Sequence, residues 1–174
     1  MNEIKLVKPS IEYTEQIWAY RTEFAQHNDE LHGSAGLARA EDVTQWLTNI
    51  QKNSCEEMVM DGLVPATTFL VVRVVDNQLV GMINIRHRLN DFLLKSGGHI
   101  GYNVRPTARR KGYATAMLKL ALIHCRQVLK LGKVLITCDK ENVGSAKTIL
   151  ANGGRLENEL SEAGRIMSRY WIDL

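Results

Sequence analysis

The chain has 174 residues, 45% of them apolar and 24% charged, which excludes a disordered or fibrous polypeptide and supplies enough apolar mass for a buried core. Its net charge of +3 spreads 22 basic among 19 acidic residues, the balance of a protein with a local anion site rather than a basic stripe for nucleic acid. No segment has the ~20 apolar residues of a membrane span, the start "MNEIKLVKPS" lacks a signal-peptide core, and Cys55, Cys125 and Cys138 suit reduced thiols, so a cytoplasmic protein without a metal site is expected.

In chain order, "EIKLVKP" alternates apolar and polar residues, places Ile4 and Leu6 on one face and stops at Pro9, the pattern of a short strand. Ser10 offers an N-cap to a helix expected from Ile11 to about His27, and "NDELHGSAGLA" follows as a polar, glycine-bearing loop. A second helix is expected from Glu41 to Lys52, with Val43, Trp46, Leu47 and Ile50 at helical spacing. "TTFLVVRVVDNQLVGMINIRHRL" reads as a hairpin joined at Asp76, Asn77 and Gln78. "GHIGYNV" predicts the next strand, ended by Pro106, which forces Arg105 out of helical geometry.

Apolar residues from Ala114 to Leu129 then recur at steps of three and four, a long helix with Gly132 expected as its C-terminal cap. An apolar strand "KVLITC", a helix "NVGSAKTILANGG" and two closing strands, "GRLENEL" and "RIMSRYWI", complete the order. The strand, helix, strand unit over residues 99–138 predicts a parallel pairing with a right-handed crossover. Flanking hairpins make the sheet mixed, so the fold class is α+β with helices on both faces, in a single domain over 1–174.

"RRKGYATAML" puts Arg109, Arg110 and Lys111 at the start of the long helix. Cations oppose the helix dipole there at a cost of a few tenths to about 1 kcal/mol, so the placement makes sense if an anion sits among them. The first amides of a helix lack intrahelical partners, and Gly112 lets a phosphate approach the backbone, so the segment suits a diphosphate. Gly-Lys-Ser/Thr is absent, which excludes a P-loop, and so is G-x-G-x-x-G at this turn, which excludes a dinucleotide fingerprint.

"VRPTARRKGYATAML" resembles motif A of the GNAT superfamily of N-acetyltransferases, through Arg109, Gly112 and Ala114, and "NVGSAKTILANGG" resembles the next GNAT helix, with Asn142 and Ser145 before the glycines. The resemblance implies a splayed mixed sheet of about seven strands and acetyl-CoA as co-substrate. It places the pyrophosphate on the backbone of Arg110, Lys111, Gly112, Tyr113, Ala114 and Thr115. It sets the pantetheine beside the strand ending at Val104, whose N–H faces the thioester carbonyl, with Asn142 and Ser145 at the thiol end. It also implies direct attack by an acceptor amine, and relatives are often homodimers.

Many GNAT members carry a glutamate as base in a stretch like "EIGY"; here the stretch is "GHIGY", with His99 in that place, and an imidazole can accept a proton at neutral pH. The tyrosine that relatives use as acid falls at Ile149, which cannot donate. Ser145, Tyr102 and Tyr170 are possible substitutes, and a non-catalytic coenzyme A-binding sensor is the alternative that this departure leaves open. The acceptor wall implied by the resemblance is "TEFAQHNDELHGSAGL" with "NIRHRLND", where Glu23, His32, Ser34, Arg86 and His87 are the polar candidates for a small-molecule or peptide amine.

Overall fold

The structure, a computed structural model, describes residues 3–162 and 164–174. Strands β1 (Ile4–Val7), β2 (Ala66–Arg73), β3 (Leu79–Arg86) and β4 (Ile100–Val104) form one antiparallel sheet in that order. A second antiparallel sheet consists of β5 (Lys133–Asp139), β6 (Arg155–Glu162) and β7 (Arg165–Asp173), with β7 in the middle. The β2–β3 hairpin turns where its composition demands: Asn77 takes the left-handed φ of +54°, and the Arg73 N–H donates to the Gln78 carbonyl at 2.9 Å.

The helices are α1 (Thr14–Gln26), α2 (Val43–Lys52), α3 (Asp91–Lys95), α4 (Tyr113–Gln127) and α5 (Val143–Ala151). Their ends correct several expectations. The first helix opens with a 3-10 turn over Ile11–Tyr13, and the Ser10 side chain makes no capping hydrogen bond. The second starts at Val43 because the Asp42 carboxylate accepts from the Gln45 N–H at 2.7 Å. The unforeseen α3 has the same device, the Asn90 side chain accepting from the Leu93 N–H at 2.9 Å. The long helix is closed by Lys130, left-handed at φ +56°, with the Leu131 N–H donating to the Cys125 carbonyl at 3.0 Å, so Gly132 is not the cap.

Helices cover both faces of the first sheet. Ile17, Tyr20 and Phe24 of α1 and Trp46 of α2 pack on Leu70, Val72 and Met82. On the opposite face Met117, Leu118, Ala121 and Cys125 of α4 pack on Val71, Ile83 and Ile85, and this core continues through Ile149 onto Val134, Ile136 and Ile172 of the second sheet. Each of the large apolar side chains among them contributes about 1.5–3 kcal/mol by leaving water, which fixes α4 and therefore the turn before it.

The expected parallel pairing of β4 with β5 is not formed. The two strands are neighbours in different sheets, joined at His99 and Leu135. The His99 N–H donates to the Leu135 carbonyl at 2.7 Å, and the Leu135 N–H donates back to His99 Nδ1 at 2.9 Å. A ring nitrogen thus stands where the next backbone carbonyl of a ladder would stand, and the strands separate toward Val104 and Asn142. Gly98 is pressed into the same junction: its φ is +61°, and a Cβ on it would lie 2.4 Å from the Leu135 oxygen.

Replacing Gly98 with alanine adds both left-handed strain and a backbone clash, so it is expected to cost about 2–4 kcal/mol. The midpoint of urea unfolding measures this, and an unchanged midpoint refutes the close approach.

Candidate active site

A groove of about 650 Å3 opens where β4 and β5 separate. Arg86 N–H donates to the His99 carbonyl and Arg105 N–H to the Val80 carbonyl, which sets the phase of the β3–β4 ladder. In that phase the amides of Tyr102 and Val104 turn away from β3, and both residues wall the groove. At its other end lies the turn into α4. Arg110 and Gly112 are both left-handed, at φ +63° and +82°, and nothing lies within 4 Å of where a Gly112 Cβ would stand. Gly112 brings no capping side chain, so the first-turn amides of α4 near Ala114 and Thr115 open onto the groove those residues line.

Of the cations expected to hold an anion here, Arg110 and Arg109 line the groove, while Lys111 lies outside it with its Nζ 3.5 Å from the Thr107 carbonyl. Arg109 is engaged within the chain. It pairs with Asp29 at 2.5 Å, donates to the Val104 carbonyl at 3.1 Å and lies over the Phe24 ring. It therefore holds the turn against the end of β4. Tyr113 is buried, its hydroxyl accepting from Arg73 at 3.2 Å.

Asn142 caps α5, its side-chain oxygen accepting from the Ser145 N–H at 3.0 Å, and this sets Ser145 on the groove wall. The Ser145 hydroxyl lies 2.8 Å from the Tyr102 hydroxyl. Burial pushes the Tyr102 phenol up to about 12, so it remains a proton-bearing donor at every physiological pH. Ile149 is fully buried in the core, and Tyr170, expected as a possible acid, is packed in that core rather than in the groove wall.

His99 departs furthest from its expected place. Its Nδ1 lone pair is committed to the Leu135 N–H, so the neutral ring carries its proton on Nε2. Burial, and then the Arg86 charge, push it down to about 4. A base needs a free lone pair and a pKa near the working pH; His99 has neither, and its observed part is to join the sheets.

A second cavity, of about 890 Å3, lies on the α1 side of β3 and β4 and meets the groove at Asp29, Glu30 and His32. Of the candidate acceptor residues, His32, Ser34 and Arg86 line it. Glu23 and His87 do not. Glu23 pairs with Arg105 at 2.6 Å and accepts from the Thr107 amide and hydroxyl at 2.9 and 2.8 Å. Burial works against its charge, but Thr107 and Arg105 outweigh it and hold the carboxyl below the usual range. His87 bonds Thr67 at 2.8 Å, and burial pushes it down as well.

Sequence reasoning passed over Asn84 and Asn103, both buried on the cavity face of the first sheet. Asn103 donates to the His32 carbonyl and accepts from the Tyr20 hydroxyl, tying the 28–36 loop to β4. The legible signal is a polar residue at an inward position of an apolar strand, in "MINIR" and "GYNV". Among the described residues no group of three or more His, Cys, Asp or Glu is placed to hold a metal ion, and no described helix is long and apolar enough to cross a membrane.

The chain matches the Acetyltransferase (GNAT) domain family over residues 6–155. Among solved structures it is similar to RimJ of Mycobacterium smegmatis in complex with CoA-disulfide, at 22% identity and TM-score 0.71 over 98% of this chain and 81% of that one. It is similar to RimL, a ribosomal L7/L12 alpha-N-protein acetyltransferase in complex with coenzyme A, at 14% identity and TM-score 0.73 over 100% and 96% of the two chains. It is also similar to spermidine N-acetyltransferase from Vibrio cholerae in complex with CoA and spermine, at 16% identity and TM-score 0.67 over 99% and 96%. No curated protein matches it in sequence. At these identities the structural likeness speaks for the fold.

Because His99 stays neutral in the folded protein to about pH 4 and an unfolded histidine protonates below about 6.5, the unfolded state binds more protons between those values. Stability is therefore expected to fall as the pH drops from 6.5 toward 4. His99→Asn, whose amide oxygen can accept from Leu135 without titrating, should flatten that slope. The flattening is partial, since burial also holds His87 and His124 low. Melting temperature against pH reads the difference, and identical slopes refute it.

Proposed function

The chain belongs to the GNAT family of acetyltransferases, and on that premise we propose that it N-acetylates an amine by direct attack, with acetyl-CoA as the donor in the β4–β5 groove and the acceptor in the adjoining cavity. The observation that carries this reading is the meeting of the two spaces at the 28–36 loop, one lined by left-handed Arg110 and Gly112, the other by polar strand residues. The pyrophosphate rests on the amides after Gly112, and the space that a Gly112 Cβ would fill is open to receive it. The Val104 N–H, turned into the groove, donates to the acetyl oxygen as charge develops on it.

The amine nitrogen bonds the acetyl carbon, the carbon–sulfur bond breaks, and the amine proton leaves to water. Tyr102, relayed to Ser145, donates a hydrogen bond to the departing sulfur. Full proton transfer is not required, since a thiol of pKa ~8.5 leaves as thiolate. His99 positions β4 and takes no proton. The free thiols of Cys55, Cys125 and Cys138 favour a reducing compartment, the cytoplasm.

Thiol release from acetyl-CoA over a panel of amines tests the proposal, and coenzyme A binding without turnover of any amine would favour the sensor instead. Gly112→Glu should weaken coenzyme A binding at least tenfold in calorimetry, through left-handed strain and charge repulsion. Tyr102→Phe should lower kcat about tenfold and leave the KM for acetyl-CoA within about twofold, the loss of one hydrogen bond to a charged sulfur. The rate should climb with pH through the pKa of the acceptor amine, with no inflection from His99 near 6.5, because that ring titrates near 4.

A further inference from the structure

The acceptor cavity holds three arginines, Arg21, Arg39 and Arg86, and two acids, Asp29 and Glu30. Both acids are partnered within the chain: Asp29 pairs with Arg109 at 2.5 Å, and Glu30 lies 3.9 Å from Arg165 and 3.0 Å from His32, which is a counter-charge only when protonated. Among the described residues none of the three arginines has a carboxylate partner. Arg21 is held by the Ala38 and Ala40 carbonyls and lies over the Trp18 ring, and Arg39 is exposed.

Arg86 is the deepest of these charges. Its Nη1 donates to the Gly97 and Gly98 carbonyls at 3.1 and 3.4 Å, and this fixes the plane of the guanidinium. The Nε and Nη2 edge remains as a fork of donors, the shape that a carboxylate fills with two parallel hydrogen bonds. Asn84 stands two residues earlier on the same face of β3, about 7 Å away along the strand. Its Nδ2 donates to the Thr68 hydroxyl at 3.0 Å, which turns its carbonyl oxygen to another direction as an acceptor.

We propose that the acceptor is an amine that also carries a carboxylate, with Arg86 binding the carboxylate and the Asn84 side-chain oxygen orienting the acceptor's N–H. The inference rests on the N-acetyltransferase reading above and narrows it. A polyamine, cationic along its length, would meet three unmatched arginines, so it is a poor acceptor here.

The test compares matched acceptors in a thiol-release assay: a series of α- and ω-amino acids and acidic dipeptides, the same compounds with the carboxylate converted to an amide, the corresponding phosphate-bearing amines, and spermidine. Carboxylate-bearing amines should show kcat/KM about ten- to a hundredfold above their amides, the worth of one charge-assisted pair. Arg86→Gln should raise the KM for the carboxylate series by a similar factor relative to the amide series. Because Arg86 also holds the Gly97 and Gly98 carbonyls, the amide acceptors serve as a control on the same variant: a folding defect lowers both series alike, whereas lost recognition lowers only the anionic one.

Equal rates for acids and amides in the unaltered protein, preference for spermidine, an unchanged KM for the carboxylate series in Arg86→Gln, or no turnover of any carboxylate-bearing amine overturns the proposal. Higher rates with phosphates than with carboxylates overturn it in favour of a phosphorylated amine. Turnover of neutral or cationic amines in any of these outcomes leaves the acetyltransferase reading standing, and acetyl-CoA binding, measured separately, reports on the donor site alone.

Discussion

The groove between β4 and β5 depends on the reciprocal hydrogen bonding of His99 and Leu135. A parallel pair would continue its ladder along the whole of β4 and β5, and no groove would exist between them. Here the first rung satisfies the backbone at one end, the imidazole takes the place of the second, and beyond it the edge groups of β4 are left for a ligand to satisfy. The splay leaves backbone donors and acceptors of β4 facing the groove. The ring must stay neutral for this, because a protonated Nδ1 would oppose the Leu135 N–H donor. Burial and the Arg86 charge, which push His99 down to about 4, serve the architecture before any chemistry.

A second contact couples the acceptor side to the same strand. Gly33, at φ +61°, lies so close to β4 that a Cβ on it would stand 2.3 Å from Gly101 backbone atoms, and Asn103 holds the His32 carbonyl beside it. Two glycines meeting backbone to backbone let the 28–36 loop lie against the strand that lines the β4–β5 groove. The clamp of Glu23 on Arg105 and Thr107 fixes α1 to the turn after β4, and Arg109 on Asp29 fixes the loop to the turn before α4. Charges that looked like recognition groups in the sequence are largely the fasteners that keep the groove and the cavity in register.

That outcome explains what could be read from the residues. The order of strands and long helices follows from local periodicity and turn chemistry, which act over a few residues, and the hairpin at Asn77 and the helix after Gly112 stand where those signals put them. The turn into α4 was legible because its backbone needs a left-handed residue at Gly112 and an uncapped helix start, both local demands. Pairing is not local. Whether Glu23 meets a substrate or Arg105, or whether His99 presents a lone pair or spends it on Leu135, depends on residues 82 and 36 positions away. Arg105, by its position before Pro106, gave no sign that it would claim an acid on α1, and Lys130 took the cap expected of Gly132 because the chain geometry, not the residue preference, fixed where α4 ends.

With His99 committed to Leu135, the protonation state of the entering amine becomes part of the chemistry. A lysine-type amine of pKa ~10.4 is neutral about once in 2,500 molecules at pH 7, an α-amine near ~8 about once in ten. A cavity with more unmatched arginines than acids shifts that balance further, since positive charge nearby disfavours the ammonium form of whatever amine enters. Under the proposed reading, the same arginines that attract the acceptor's carboxylate help to release its amine proton to water. Electrostatic attraction for one end of the acceptor and repulsion of charge at the other would then replace the glutamate that this sequence lacks, with His99 left to hold the strand along which the two substrates meet.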